Sequence, residues 1–251
     1  MRYIDVSEWQ GDIDYDKLKG CVDGIIIRAG YGKGKKDKKF DRNAQMCNLY
    51  GIPCGAYWFS YAKSVDEAKL EAAYLVDAVK PYKMELPLAF DFEYDSVTNA
   101  EKSGVTVDKH LVTNMVRAFC DAIEAAGYWV LNYANPDFLI RYLDPLIPER
   151  YGLWLASWPK TVDVSKPPRK CAIWQWGGSC VPGINGNVDT NESYTDFVKV
   201  IRENDLNNLN YTQSKPKDEK ADAIAWAMEN GISGSEDIAL ALWQYHKAFG
   251  K

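Results

Sequence analysis

Two histidines in 251 residues leave little room for the commonest nucleophile chemistries. His110 and His246 fall on expected helices away from any motif, so neither a Ser-His-Asp nor a Cys-His mechanism is expected. The six cysteines (Cys21, Cys47, Cys54, Cys120, Cys171 and Cys180) include no Cys-x-x-Cys pair. That argues against structural zinc and for reduced, mostly buried thiols. No apolar run is long enough to cross a membrane, and the opening MRYIDVSEWQG lacks the hydrophobic stretch of a secretory signal. The expectation is a protein made in a cytoplasm without a signal peptide, with no membrane partner. No basic stripe accompanies the net charge of −5, so nucleic acid is not an expected partner either. The one basic cluster, KGKKDKK (33–39), reads as a solvated loop. Glycines follow the second strand candidate in GYGKGKK, but neither GxGxxG nor GKS/GKT spacing is present, and no nucleotide cofactor is expected.

What the chain does have is an ordinary globular composition, 47% hydrophobic and 26% charged, with nine Trp and sixteen Tyr. Exposed aromatic rings suit stacking on sugars, while core packing is the competing use for each of them. From residue 1 to about 202, apolar strand candidates alternate with helical segments. The strands are expected at 2–7, 24–32, 54–62, 85–93, 128–135, 151–158 and 171–177, with a short extended piece at 187–193. A helix over 65–79 opens on the capping box Ser64-x-x-Glu67. Others are expected over 106–126, 40–50 and 194–203, the first two stopping at Gly127 and Gly51. Seven or eight strands separated by helices in about 200 residues predict an α/β fold, an irregular single β/α barrel of the TIM-like kind. A doubly wound open sheet is the alternative.

A polar stretch over 203–220 reads as a linker, and 221–251 as a two-helix segment. Ile224, Ala225 and Met228 mark its first stripe; Ile238, Ala241, Leu242, Tyr245 and Phe249 mark its second. Some thirty residues cannot enclose a core of their own. The hairpin is therefore expected to dock on the barrel or to pair with copies of itself and so oligomerise, with self-association favoured.

The chemistry concentrates in LPLAFDFEYD (86–95). Strand alternation sends Leu86, Leu88, Phe90 and Phe92 to one side and Ala89, Asp91 and Glu93 to the other. Two carboxylates on the face away from the helices must look into a groove or a barrel interior. Asp5 in YIDVSEWQG and Asp189 in GNVDTNE lie at comparable strand ends and are candidates for the same face. Clustered carboxyls without histidine suit glycoside hydrolysis, in which one protonated carboxyl is the acid and ionised neighbours stabilise an oxocarbenium-like transition state. Neighbouring anions and partial burial would keep Glu93 protonated near neutral pH. Divalent-metal phosphoryl chemistry is the competing reading, with Arg28 as the only nearby phosphate partner. A third is a carbohydrate-binding module that keeps the groove without the chemistry.

The motifs YIDVSEWQG, RAGYG, GAYWFSYA, LAFDFE, NYAN, LWLASW, IWQWG and GINGNVDTN, in that order over about residues 1–200, resemble those of glycoside hydrolase family 25. These are the muramidases common among bacteriophage endolysins. The resemblance implies a barrel that cleaves the β-1,4 bond between N-acetylmuramic acid and N-acetylglucosamine in peptidoglycan, without a metal or other cofactor. It further implies Glu93 as proton donor and Asp91 as the partner that stabilises positive charge or orients the substrate's acetamido group. Asp5 and Asp189 would complete the acidic floor, and Tyr31, Tyr57, Tyr133, Trp154 and Gln175 would line the sugar groove. Trp58 departs from the His often found in its motif, on what the resemblance makes one wall of that groove. The tail's WAMENGISG is similar to short helical repeats at the ends of some clostridial phage lysins, which implies a cell-wall anchoring or oligomerising role.

Overall fold

The computed structural model describes residues 1–209. The expected two-helix tail and most of the expected linker lie outside the described residues. Nine strands form one sheet: β1 (Arg2–Val6), β2 (Gly24–Tyr31), β3 (Lys35–Lys36), β4 (Cys54–Phe59), β5 (Leu88–Asp91), β6 (Val130–Ala134), β7 (Leu153–Ala156), β8 (Ile173–Cys180) and β9 (Asn187–Ser193). Parallel pairing runs from β1 through β2, β4, β5, β6 and β7 to β8. β9 then runs antiparallel between β8 and β1 and closes an eight-stranded barrel. The ninth strand, β3, pairs only with the end of β2, as a short antiparallel hairpin.

Around the barrel lie α1 (Tyr15–Leu18), α2 (Phe40–Tyr50), α3 (Val65–Val79), α4 (Tyr94–Lys102), α5 (Lys109–Ala125), α6 (Pro136–Tyr142), α7 (Ile147–Tyr151) and α8 (Phe197–Glu203). No helix among the described residues is long and apolar enough to cross a membrane. Local chemistry sets the limits of these helices. Ser64 Oγ accepts from the Glu67 amide at 3.2 Å, and Gly51 ends α2 in the left-handed region. α5 starts later than its apolar stripe suggests because the Asp108 side chain caps it, accepting from the Leu111 amide at 2.8 Å.

β5 is built as its alternation requires. Phe90 packs on Phe119 of α5 with ring centroids 4.4 Å apart, and Phe92 meets Phe138 of α6 at 6.2 Å. Asp91 is thereby turned into the barrel. The strand ends at Asp91, and Glu93 is the N-cap of α4, whose amide donates to Ser96 Oγ at 3.1 Å. The sequence reading missed this helix because YDSVTNAEK buries only Ser96, Val97 and Ala100.

Three expectations change. The 33–39 segment is not simply a solvated loop, since it carries β3 and a buried Asp37 bound to Arg28 at 2.8 Å. Trp58 is no wall of the groove. It is buried on the helix side, stacked on Tyr74 of α3 at 6.0 Å, and its Nε1–H donates to the Gly32 carbonyl at 3.2 Å. Gly30 makes room for it, since a Cβ there would lie 2.6 Å from the indole and 2.4 Å from the Lys35 carbonyl oxygen. Finally, the packed unit continues past residue 202 to Leu209. The buried Asn207 side chain accepts from the Trp129 amide at 2.7 Å and donates to the carbonyls of Met84 and Leu86 at 2.8 and 3.0 Å, tying three segments together.

One carboxyl in the helix layer costs stability. Glu71 of α3 is buried, with Oε1 accepting from the Tyr61 amide at 3.0 Å. Burial raises its pKa from an ordinary 4.5 to about 7. Between those values the unfolded chain releases this proton and the folded chain keeps it, so stability falls as pH rises. Glu71→Gln removes the titration and keeps an acceptor for Tyr61. It is expected to stabilise the protein by about 1–3 kcal/mol at pH 8 and not at pH 4. Urea melts at both pH values check this, and an equal change at both would contradict it.

Candidate active site

The carboxyl ends of the parallel strands open on a cavity of about 250 Å³. Eight of the nine residues expected there line it: Asp5, Asp91, Glu93, Asp189, Tyr57, Tyr133, Trp154 and Gln175. Tyr31 does not. Its ring lies under the Arg28 guanidinium and the Lys35 ammonium, each 5.4 Å from the centroid, beside the β2–β3 hairpin. Asp189 arrives by an unexpected route. Because β9 is antiparallel, its beginning rather than its end meets the carboxyl end of β1, and Asp189 pairs in register with Asp5.

Asp5 sits deepest. Its Oδ2 accepts from Gln175 Nε2 at 3.0 Å and from Asn191 Nδ2 at 2.9 Å. Both amides are held in turn. Tyr133 Oη donates to Gln175 Oε1 at 2.9 Å, and Trp154 Nε1 donates to Asn191 Oδ1 at 2.7 Å. Tyr57 and Tyr133 pack edge-on against the Trp154 ring at 6.0 and 5.0 Å. Burial, then the Asp189 charge, raises the Asp5 pKa to about 7, against the pull of the two amides.

Asp91 and Glu93 form the chemically distinctive pair. Asp91 is buried, and its Oδ1 receives no hydrogen bond from an amide, hydroxyl or cation among the described residues. Its close polar neighbour is the Glu93 carboxyl. An ionised oxygen so placed would be costly, and one proton held between the two carboxyls removes that cost. Burial, followed by the Glu93 and Asp5 charges, pushes Asp91 well above the ordinary range; burial also raises Glu93. Asp189 is raised by burial alone. Carboxyls raised together in this way are suited to keeping a proton beside anionic neighbours, as general-acid catalysis needs.

Sequence reasoning missed Asn191 and the Arg28 cluster. Asn191 was findable, since it stands two residues from Asp189 and so on the same strand face. Arg28 is the only Lys or Arg lining the cavity among the described residues. Its Nε binds Asp37 at 2.8 Å and its Nη2 binds Glu8 at 3.2 Å. A cation so committed is a poor phosphate ligand, which weakens the phosphoryl-transfer reading.

A closed β/α barrel with clustered carboxyls and aromatic walls at the carboxyl ends of its strands is a glycoside hydrolase architecture. The chain belongs to the glycosyl hydrolases family 25, whose family model matches residues 4–184. It is similar to the modular autolysin LytC from Streptococcus pneumoniae, solved in complex with a synthetic peptidoglycan ligand. The TM-score is 0.64 and the identity 29%, over 76% of this chain and 46% of LytC. The match thus spans less than half the length of that relative. The catalytic domain of endolysin ply40 from bacteriophage P40 of Listeria monocytogenes shares the fold at TM-score 0.66 and 22% identity, covering 80% of this chain and 97% of that one. So does a family 25 glycosyl hydrolase from Bacillus anthracis, at TM-score 0.64 and 24% identity, over 81% and 92% of the respective chains. No curated protein matches the chain.

Proposed function

We propose that the protein is an N-acetylmuramidase that hydrolyses the β-1,4 bond between N-acetylmuramic acid and N-acetylglucosamine in bacterial peptidoglycan, acting on the wall as endolysins do. The observation that carries the reading is the Asp91–Glu93 pair at the head of an aromatic-walled cavity, with Asp91 buried and both carboxyls raised, an arrangement suited to holding one proton. Glu93 gives that proton to the departing glycosidic oxygen. As it leaves, Asp91 becomes the anion facing the developing positive charge, or accepts from the N–H of the substrate's acetamido group through its unpaired Oδ1. Asp5 and Asp189 keep the floor negative, and Gln175 and Asn191 fix Asp5. Tyr57 and Tyr133, backed by the buried Trp154, supply apolar surface for the sugar ring. The LytC complex supports the substrate class.

The test is digestion of purified peptidoglycan, followed by borohydride reduction and mass analysis of the new ends. Reduced N-acetylmuramic acid is the expected terminus, in equal yield with and without EDTA. Reduced N-acetylglucosamine would mean the other glycosidic bond is cut, and loss of cleavage in EDTA would favour the metal-dependent reading.

A further inference from the structure

Two tryptophans stand out of the protein at the end of the barrel where the cavity opens. Trp9, in a short 3-10 turn (Glu8–Gln10) after β1, is 80% exposed and lines the cavity mouth. Trp158, two residues beyond β7, is 58% exposed. By contrast Trp58, Trp154 and Trp174 are buried. Isolated exposed apolar residues are common and need no explanation. These two differ because the backbone under Trp9 and the ring of Trp158 are fixed while both faces are left bare.

The backbone under Trp9 is pinned from both sides. The Trp9 amide donates to Ser7 Oγ at 3.3 Å, and the Ser7 amide donates to Gln10 Oε1 at 2.8 Å. The Glu8 amide donates to the buried Asp37 at 3.0 Å, and the Glu8 carboxylate is held by Arg28 at 3.2 Å and Lys38 at 3.3 Å. The Arg28–Asp37–Glu8 cluster, which the catalytic reading does not use, thus serves as the footing of this turn. Trp158 is aimed by its own N–H, which donates at 3.2 Å to Gln175 Oε1, the oxygen that also accepts from Tyr133. Exposed indole faces at the rim of a sugar-sized cavity are suited to the apolar face of a pyranose ring, and a fixed backbone under one and a bonded ring on the other lower the entropy cost of binding.

We infer that Trp9 and Trp158 are stacking platforms for sugar rings outside the pair whose bond is cut, so that the protein grips a glycan strand longer than its cleavage site. The inference rests on the muramidase reading for the identity of the strand.

The experiment compares long soluble glycan strands with the disaccharide that contains only the scissile bond, using wild type, Trp9→Ala, Trp158→Ala and Trp9→Phe. Trp9→Ala is expected to raise KM for long strands about tenfold with kcat within twofold, while changing the disaccharide values less than twofold; Trp158→Ala, which also removes a donor to Gln175 Oε1, is expected to lose more on long strands than on the disaccharide. Trp9→Phe, which keeps a flat ring, should recover most of the loss. As a control, Ile140→Ala removes an apolar side chain that is 72% exposed on α6 and should change nothing. Unchanged KM in both alanine variants, or equal losses on long and short substrates, would overturn the platforms. If Trp9→Ala fails to fold, Trp158→Ala and Trp9→Phe decide. If wild type cleaves neither substrate, the muramidase reading fails. Calorimetric binding of the long strands to wild type and the alanine variants then decides the platforms alone.

Discussion

Glu93→Gln is expected to lower kcat on peptidoglycan by about a thousandfold or more, the upper part of the range that a general acid contributes. The substitution is close to isosteric, and the backbone that presents it is fixed independently of the carboxyl. The Glu93 amide is bound to Ser96 Oγ, and the residue is the N-cap of α4. Beside it the Asp91 carboxyl can accept from the new amide nitrogen, so the pair stays satisfied without an ionisable proton. Folding and wall binding should therefore survive where turnover does not. Thermal melting, wall pull-down and turbidity loss on one preparation check all three. Lysis within tenfold of wild type would remove Glu93 from the role of acid.

Much of this arrangement was legible because it depends on strand periodicity. Phenylalanines at 90 and 92 and carboxyls at 91 and 93 can satisfy a helix layer and a groove only one way, and Phe119 and Phe138 now occupy the helix side. The alternation of strands and helices was legible for the same reason, as were ends set by Ser64 and Gly51. What escaped depends on contacts between residues far apart in sequence. Nothing local in NVDTNE states that its strand runs antiparallel, yet that reversal brings Asp189 to Asp5. Nothing in KGKKDKK states that Asp37 turns inward, because its partner Arg28 belongs to another strand. Trp58 and Tyr31 show the limit of motif transfer. Both sit in motifs that resemble the family's, but one ring is taken by Tyr74 of α3 and the other by Arg28 and Lys35.

Asp91→Asn should reduce kcat/KM about a hundredfold, and Asp5→Asn only about tenfold, the difference following from what each oxygen is bound to. Both donors to Asp5 converge on Oδ2, so an asparagine that places its carbonyl there keeps the Gln175 and Asn191 bonds. It loses only a charge that is already half neutralised near pH 7. Asp91 has no such cushion. Its Oδ1 lacks a donor among the described residues, and its carboxyl is the partner with which Glu93 shares a proton. Asparagine can take neither the anionic role nor the proton. The pH profile separates loss of charge from mere misfit. In the wild type the like charges of the pair hold its last proton to higher pH, and activity falls as that proton leaves. Removing the Asp91 charge removes that repulsion, so the alkaline limb should move to lower pH in Asp91→Asn, with the fold intact by melting. A variant with reduced rate but an unmoved limb would show that Asp91 serves only as packing. Equal small losses in the two asparagine variants would mean that the reacting sugar does not lie over this pair.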